Sequence, residues 1–266
     1  MTDQTAPITV NLVRPARGSA DPVRVLLMHG LASSGAVWDA FLPLAADACE
    51  LWAAELPWRV EGVPGWAERT DVGAWAAEAL AMVPGGVDVV VAHSFGANTL
   101  LAHLAHTDDL PGAVVLVSPF YRPSTADFDW RAIDYYLNDF HLILADGIRV
   151  RAGGRLTPDR QEAMAVKVRD RVGPYGWVRF FDTYLRTPRL PLDGVTAPCL
   201  VVAGETDFAA FPADAIALTG ALPDARVHVV SGCGHFAMAE RAGEFAALVN
   251  QFLSDFLRNR AWEPLK

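Results

Sequence analysis

The stretch Val87–Leu101 reads VDVVVAHSFGANTLL. It is almost wholly apolar up to Ala92, and from Phe95 onward the apolar spacing becomes helical. One serine, Ser94, stands at the junction, with Ala92 and Gly96 on either side. A near-continuous run of β-branched residues suits a strand covered on both faces. A sharp strand-to-helix turn holds a side chain out in the open and strains the backbone, so its neighbours must be small. The helix that follows aims its free N–H groups at the same point, which favours developing negative charge there. Alone, this G-x-S-x-G pattern with Ala92 for its first glycine is a weak signal, because a serine before a helix also suits an ordinary N-cap.

Working outward, short apolar runs alternate with helical patterns. The predicted strands are Ile8–Val13, Val23–Met28, Leu51–Glu55, Val87–Ala92, Ala113–Val117, Cys199–Ala203 and Val227–Val230. Helices are predicted over Val37–Ala46, Val72–Met82, Phe95–His106, Ala213–Ala221 and Phe236–Leu257. This alternation predicts an α/β fold with a mostly parallel central sheet and helices on both faces. From Phe120 to Leu190 no strand pattern occurs; aromatic, helix-like patches replace it. A helical insertion over 120–190 is therefore expected, dividing the core into 1–119 and 191–266. Insertions of this size commonly act as lids or binding surfaces. Of its aromatics, Phe120, Tyr121, Trp130, Tyr135, Tyr136, Phe140, Trp177, Phe180, Phe181 and Tyr184, most are expected to form its own core and a few to face a pocket.

Open parallel sheets bind ligands beyond the carboxyl ends of their strands. Three more features fall at such ends. VRVLLM runs into His29-Gly30-Leu31; CLVVAGETDFAAFP places Asp207 just past a strand; RVHVVSGCGHFAMAE places His235 in a glycine-rich loop before a helix. Serine, aspartate and histidine thus follow one another in chain order, each past a strand.

With these four coincidences the sequence resembles the α/β-hydrolase fold superfamily over nearly its whole length. The resemblance implies that Ser94 is the nucleophile, His235 the general base and acid, and Asp207 the carboxylate that orients it. It also implies an oxyanion hole made by the backbone N–H groups of Leu31 and Phe95, and a cap domain over 120–190. No cofactor or metal is implied. The chemistry fits these residue types. A serine hydroxyl attacks well only when a base removes its proton, and imidazole does so near neutral pH. A carboxylate on the other ring nitrogen fixes the tautomer, and two N–H donors hold the oxyanion. Glu205 and Asp214 compete with Asp207 for the acid's role. His29 and His93 are read as structural, the first opening the oxyanion turn and the second filling a variable turn position. His103, His106, His141 and His228 are read as ordinary, and Cys233 with His235 as no metal site.

Many relatives carry Asp-x-Pro-Gly-x-Gly after the strand at Leu51–Glu55, where this chain has ELPWRVEGVPGW. That departure marks an altered loop, so Trp58 and Arg59 from it, with Phe120 and Tyr121 from the cap, are the candidate substrate contacts. Within the family a serine here excludes the aspartate-dependent dehalogenases and epoxide hydrolases. No Gly-Gly-Gly-x run precedes the first helix, so the roomy turn associated with bulky tertiary-alcohol esters is absent. Hydrolysis of a small-to-medium, largely apolar ester or lactone is expected. Thioesterase, amidase, carbon–carbon bond hydrolase, cofactor-free haloperoxidase or perhydrolase, and cyclase or acyl transferase share the same triad and stay open. A non-catalytic ligand-binding member is the weaker alternative, because all three triad residues are intact.

The net charge of -9 gives no basic footprint for nucleic acid or an anionic membrane, so a small-molecule substrate is the expected partner. Three cysteines without CxxC spacing read as reduced core thiols. MTDQTAPITV shows no leader pattern, and no apolar run approaches the roughly 18 residues of a membrane span. The cytoplasm is the expected location.

Overall fold

The computed structural model describes residues 7–18 and 21–260. Residues 1–6, part of the stretch in which no leader is expected, lie outside it. The predicted strands form one sheet: β1 (Thr9–Arg14), β2 (Val23–Met28), β3 (Cys49–Glu55), β4 (Val89–His93), β5 (Ala113–Val117), β6 (Cys199–Gly204) and β7 (Ala225–Val230). Their spatial order is β1-β3-β2-β4-β5-β6-β7. Every pairing is parallel except that of β1 with β3. Every residue of β4, β5 and β6 is buried, as their apolar runs require, whereas the edge strands β1 and β7 are partly exposed.

Alternate residues feed two cores. One face sends Leu26, Val90, Leu116 and Val201 toward α1 (Gly73–Ala81), α2 (Phe95–Leu104) and the inserted helices. The other sends Leu27, Val91, Val115 and Val202 toward Trp38, Phe41 and the C-terminal helix, where Phe245 and Phe252 pack. α6 (Pro212–Ala221) connects β6 to β7.

Two helix expectations are corrected. Val37–Ala46 is not one helix but two 3₁₀ turns, Gly35–Trp38 and Leu42–Leu44. Pro43 lacks the N–H a continuing helix needs. The periodicity came from Trp38 and Phe41, which fit 3₁₀ spacing and pack on Phe245. The C-terminal pattern is broken at Arg241 into α7 (Ala237–Glu240) and α8 (Ala242–Arg260).

Between β5 and β6 lie α3 (Trp130–Asn138), α4 (Phe140–Ala152) and α5 (Pro158–Leu185). α5 kinks at Gly173, whose φ of 68° precedes Pro174, a residue that cannot donate within a helix. Phe120, Tyr121, Tyr136, Phe140, Phe180, Phe181 and Tyr184 are buried, but Trp130 is 83% exposed and belongs to no core. No helix of the described residues is long and apolar enough to cross a membrane.

Candidate active site

The non-glycine residues with positive φ among those described are Ala32, Ser94 and Ser118. Each lies just past the carboxyl end of a parallel strand, β2, β4 or β5, so backbone strain gathers at one edge of the sheet. Ser94 has φ 54° and ψ −126°, at the turn from β4 into α2. Gly96 is required there, because a Cβ would lie 2.5 Å from the carbonyl of His29. This close approach brings the turn after β2 against the start of α2. Phe95, the first residue of α2, has no intrahelical acceptor for its N–H.

The loops after β6 and β7 are pressed together in the same way. A Cβ on Gly204 would sit 2.0 Å from the Gly234 carbonyl. Thr206 donates both its N–H and its hydroxyl to the Cys233 carbonyl, each at 2.9 Å. Asp207 and His235 are thereby set facing each other. Asp207 Oδ2 accepts from His235 Nδ1 at 2.8 Å, while its Oδ1 accepts the N–H groups of Ala209 and Ala210 at 2.8 and 3.0 Å. His235 Nε2 lies 3.0 Å from Ser94 Oγ. With Nδ1 donating to Asp207, Nε2 presents a lone pair to the hydroxyl, the geometry a base needs. All three side chains are buried. Burial disfavours the imidazolium of His235, but the facing Asp207 charge, with Asp146 and Glu240 behind it, outweighs this and holds its pKa above 6.5.

The competing carboxylates are occupied elsewhere. Glu205 accepts the Gly232 N–H at 2.8 Å. Asp214 accepts from Tyr184 at 3.0 Å and faces Arg122 at 3.6 Å; burial lifts its pKa to about 6 against the pull of Arg122. His29 donates from Nδ1 to the Gly30 carbonyl and accepts the Leu56 N–H on Nε2, and burial pushes its pKa down to about 4. It braces the turn carrying Leu31. His93 does more than fill its position. Its Nε2 donates to the His235 carbonyl at 3.0 Å, leaving Nδ1 without a partner among the described residues, and burial beside His235 pushes its pKa well below 6.5.

A cavity of about 560 Å³ opens above Ser94 and His235 and is bounded by Leu31, His93 and Phe120. Its walls are Phe140, Ile143, Leu144 and Ile148 of α4, Phe180 of α5, and Phe236. Three candidate contacts lie outside it. Trp58 is 1% exposed, its ring against Phe95, Trp66 and His29 and its indole N–H donating to the His29 carbonyl, so it supports the site from beneath. Arg59 turns to the carbonyls of Pro7 and Leu56. Tyr121 is buried away from the cavity, where its backbone faces Asp214.

The sequence pointed to none of the supports that tie the insertion to the site. Asn98 of α2 makes two hydrogen bonds with the backbone of Phe120, at 2.7 and 3.0 Å. Tyr135 and Tyr136 of α3 donate to the carbonyls of Phe208 and Ala209, in the loop that carries Asp207.

Solved structures share this architecture. The chain is similar to Est816, described as an N-acyl homoserine lactone degrading enzyme (20% identity, 92% of this chain and 96% of that one, TM-score 0.63). It is also similar to a thermophilic esterase from Thermogutta terrifontis (17%, 94% and 93%, TM-score 0.63). A third is the esterase RhEst1 from Rhodococcus sp. ECU1013 (19%, 94% and 95%, TM-score 0.61). No curated protein matches the chain in sequence. A family model described as the alpha/beta hydrolase family matches residues 25–248, and with that match the chain belongs to the alpha/beta hydrolase family.

Proposed function

We propose that this protein is a serine-dependent hydrolase that cleaves a small-to-medium ester or lactone with an apolar body. The observation that carries the reading is the continuous chain Ser94 Oγ, His235, Asp207, with contacts of 3.0 and 2.8 Å, at the floor of an apolar-walled cavity. In this reading His235 takes the Ser94 proton as its oxygen attacks the acyl carbon. The N–H groups of Leu31 and Phe95 receive the oxyanion, and His235 then protonates the leaving alcohol. Water repeats the sequence on the acyl-enzyme. Asp207 keeps its charge throughout and stabilises the imidazolium. The esterases and the lactone-degrading enzyme among the similar structures support an ester or lactone as substrate. Buried free thiols at Cys49, Cys199 and Cys233 fit a reducing compartment and support a cytoplasmic location.

The test is fluorophosphonate labelling of wild type and Ser94→Ala, followed by turnover of p-nitrophenyl esters, lactones and acyl thioesters. Labelling at Ser94 is expected, with kcat on esters falling on the order of 10⁴–10⁶ in the variant. A wild-type protein that neither labels nor turns over any ester or lactone would overturn the reading.

A further inference from the structure

Four cations line the cavity: Arg151, Arg155, Lys167 and Arg171. All four are exposed, so they stand where the cavity meets solvent. Arg151 stands in the last turn of α4, Arg155 lies in the link that follows, and Lys167 and Arg171 belong to α5 before its kink. Among the described residues no aspartate or glutamate lines the cavity beside them. Among the described residues none of the four is ion-paired. Arg151 touches the Ser33 hydroxyl at 3.4 Å, Arg155 the carbonyls of Ala152 and Arg151, and Arg171 the carbonyl of Val60. These acceptors are neutral, so no contact among the described residues compensates the charges. On the same helices Arg149, Arg169 and Arg179 do face carboxylates, those of Asp146, Asp170 and Asp182.

A single unpaired surface arginine needs no explanation. Four like charges round one opening repel one another, and the apolar walls behind them concentrate their field. They stand out further on a chain whose net charge is -9. Each guanidinium has five donors and spends only one or two of them on these contacts. The arrangement suits an anionic group held at the opening, attached to an apolar body that fills the interior.

We propose that the substrate of this site is an acyl compound with an anionic end, a carboxylate or a phosphate. The four cations hold that end while the acyl carbonyl lies at Ser94. This rests on the hydrolase reading above and names its substrate class. The anionic end takes no part in the bond changes. The bond from Ser94 Oγ to the acyl carbon forms as the ester C–O bond breaks. The serine proton passes through His235 to the leaving alcohol, and water then releases the acid.

The test compares two esters of equal length: mono-p-nitrophenyl suberate and its methyl-capped, uncharged counterpart. Wild type should favour the anionic ester in kcat/KM by about tenfold or more, the worth of a charge-assisted hydrogen bond. That preference should shrink as salt shortens the Debye length below about 10 Å. It should also fall several-fold in Arg151→Gln/Arg155→Gln and in Lys167→Gln/Arg171→Gln, with thermal melts confirming folding. Equal kcat/KM for the two esters in wild type, or a ratio that neither double variant changes, would overturn the proposal. A second arm needs no catalysis: octanoate, octyl phosphate and octanol are titrated calorimetrically into Ser94→Ala. At least one anion should bind more tightly than octanol, and which one does separates carboxylate from phosphate. Octanol binding as tightly as both anions overturns the anion site. Anion binding without turnover of either ester overturns the hydrolase reading instead.

Discussion

Asp207→Asn tests the proposed mechanism with almost no change in volume. In the native protein Oδ1 accepts two backbone N–H groups, from Ala209 and Ala210, and only Oδ2 faces His235. An asparagine can meet those two donors only with its carbonyl oxygen. Flipping the amide would point its NH₂ at them and forfeit two hydrogen bonds, about 2 kcal/mol or more. The NH₂ group is therefore locked against His235 Nδ1, which must become an acceptor. The ring proton then moves to Nε2, 3.0 Å from Ser94 Oγ, where the base should have a lone pair. Losing the right tautomer should lower kcat by about 10⁴. The assay is kcat/KM on p-nitrophenyl butyrate from pH 5 to 10, with circular dichroism to confirm folding. Wild type should lose activity as pH falls through a value above 6.5, because the Asp207 charge favours protonation of His235 and imidazolium cannot accept the serine proton. Glu205→Gln, which keeps an acceptor for Gly232, should lose far less than Asp207→Asn. An Asp207→Asn enzyme within about tenfold of wild type would refute the assignment.

Trp58→Ala should destabilise the fold by about 3–5 kcal/mol in urea unfolding, since the ring is packed among Phe95, Trp66 and His29. Unchanged stability with altered acyl-chain preference would instead make Trp58 a wall of the pocket. Gly204→Ala must push β6 away from the Gly234 carbonyl, and a displacement near 1 Å between Asp207 and His235 should cost about 10²-fold in kcat; wild-type turnover would show that the two loops move together. The lowered pKa of His29, about 4 when folded, means the unfolded chain takes the proton first. Its contribution, about 3 kcal/mol, is present above pH 6.5 and lost as pH falls toward 4. Unfolding free energies across that range should therefore fall less steeply in His29→Gln than in wild type, and parallel slopes would contradict the buried neutral imidazole.

Which parts of this site could be read from the sequence depends on how local their physical cause is. β4, β5 and β6 were legible because strands buried on both faces leave continuous apolar runs, and Ser94, Asp207 and His235 because such strands end where ligands bind. Trp58 was misplaced because its position after β3 puts it near the site without saying on which side of the backbone it packs. Asn98 gave no signal. A polar residue in an apolar helix reads as a solvent-facing one until the fold brings the Phe120 backbone over it. The wall of the cavity lies between these cases. Phe140, Ile143, Leu144, Gly147, Ile148 and Arg151 repeat at helical spacing on one face of α4, and Met164, Lys167, Val168 and Arg171 do the same on α5. Periodicity marks these faces as turned inward but cannot tell a packed core from an empty cavity. The charges could have told them apart. A helix face turned into a packed core excludes arginine and lysine, because an unpaired buried charge is costly. Apolar faces that turn basic at Arg151, Lys167 and Arg171 therefore face an opening, and two such faces packed together enclose it.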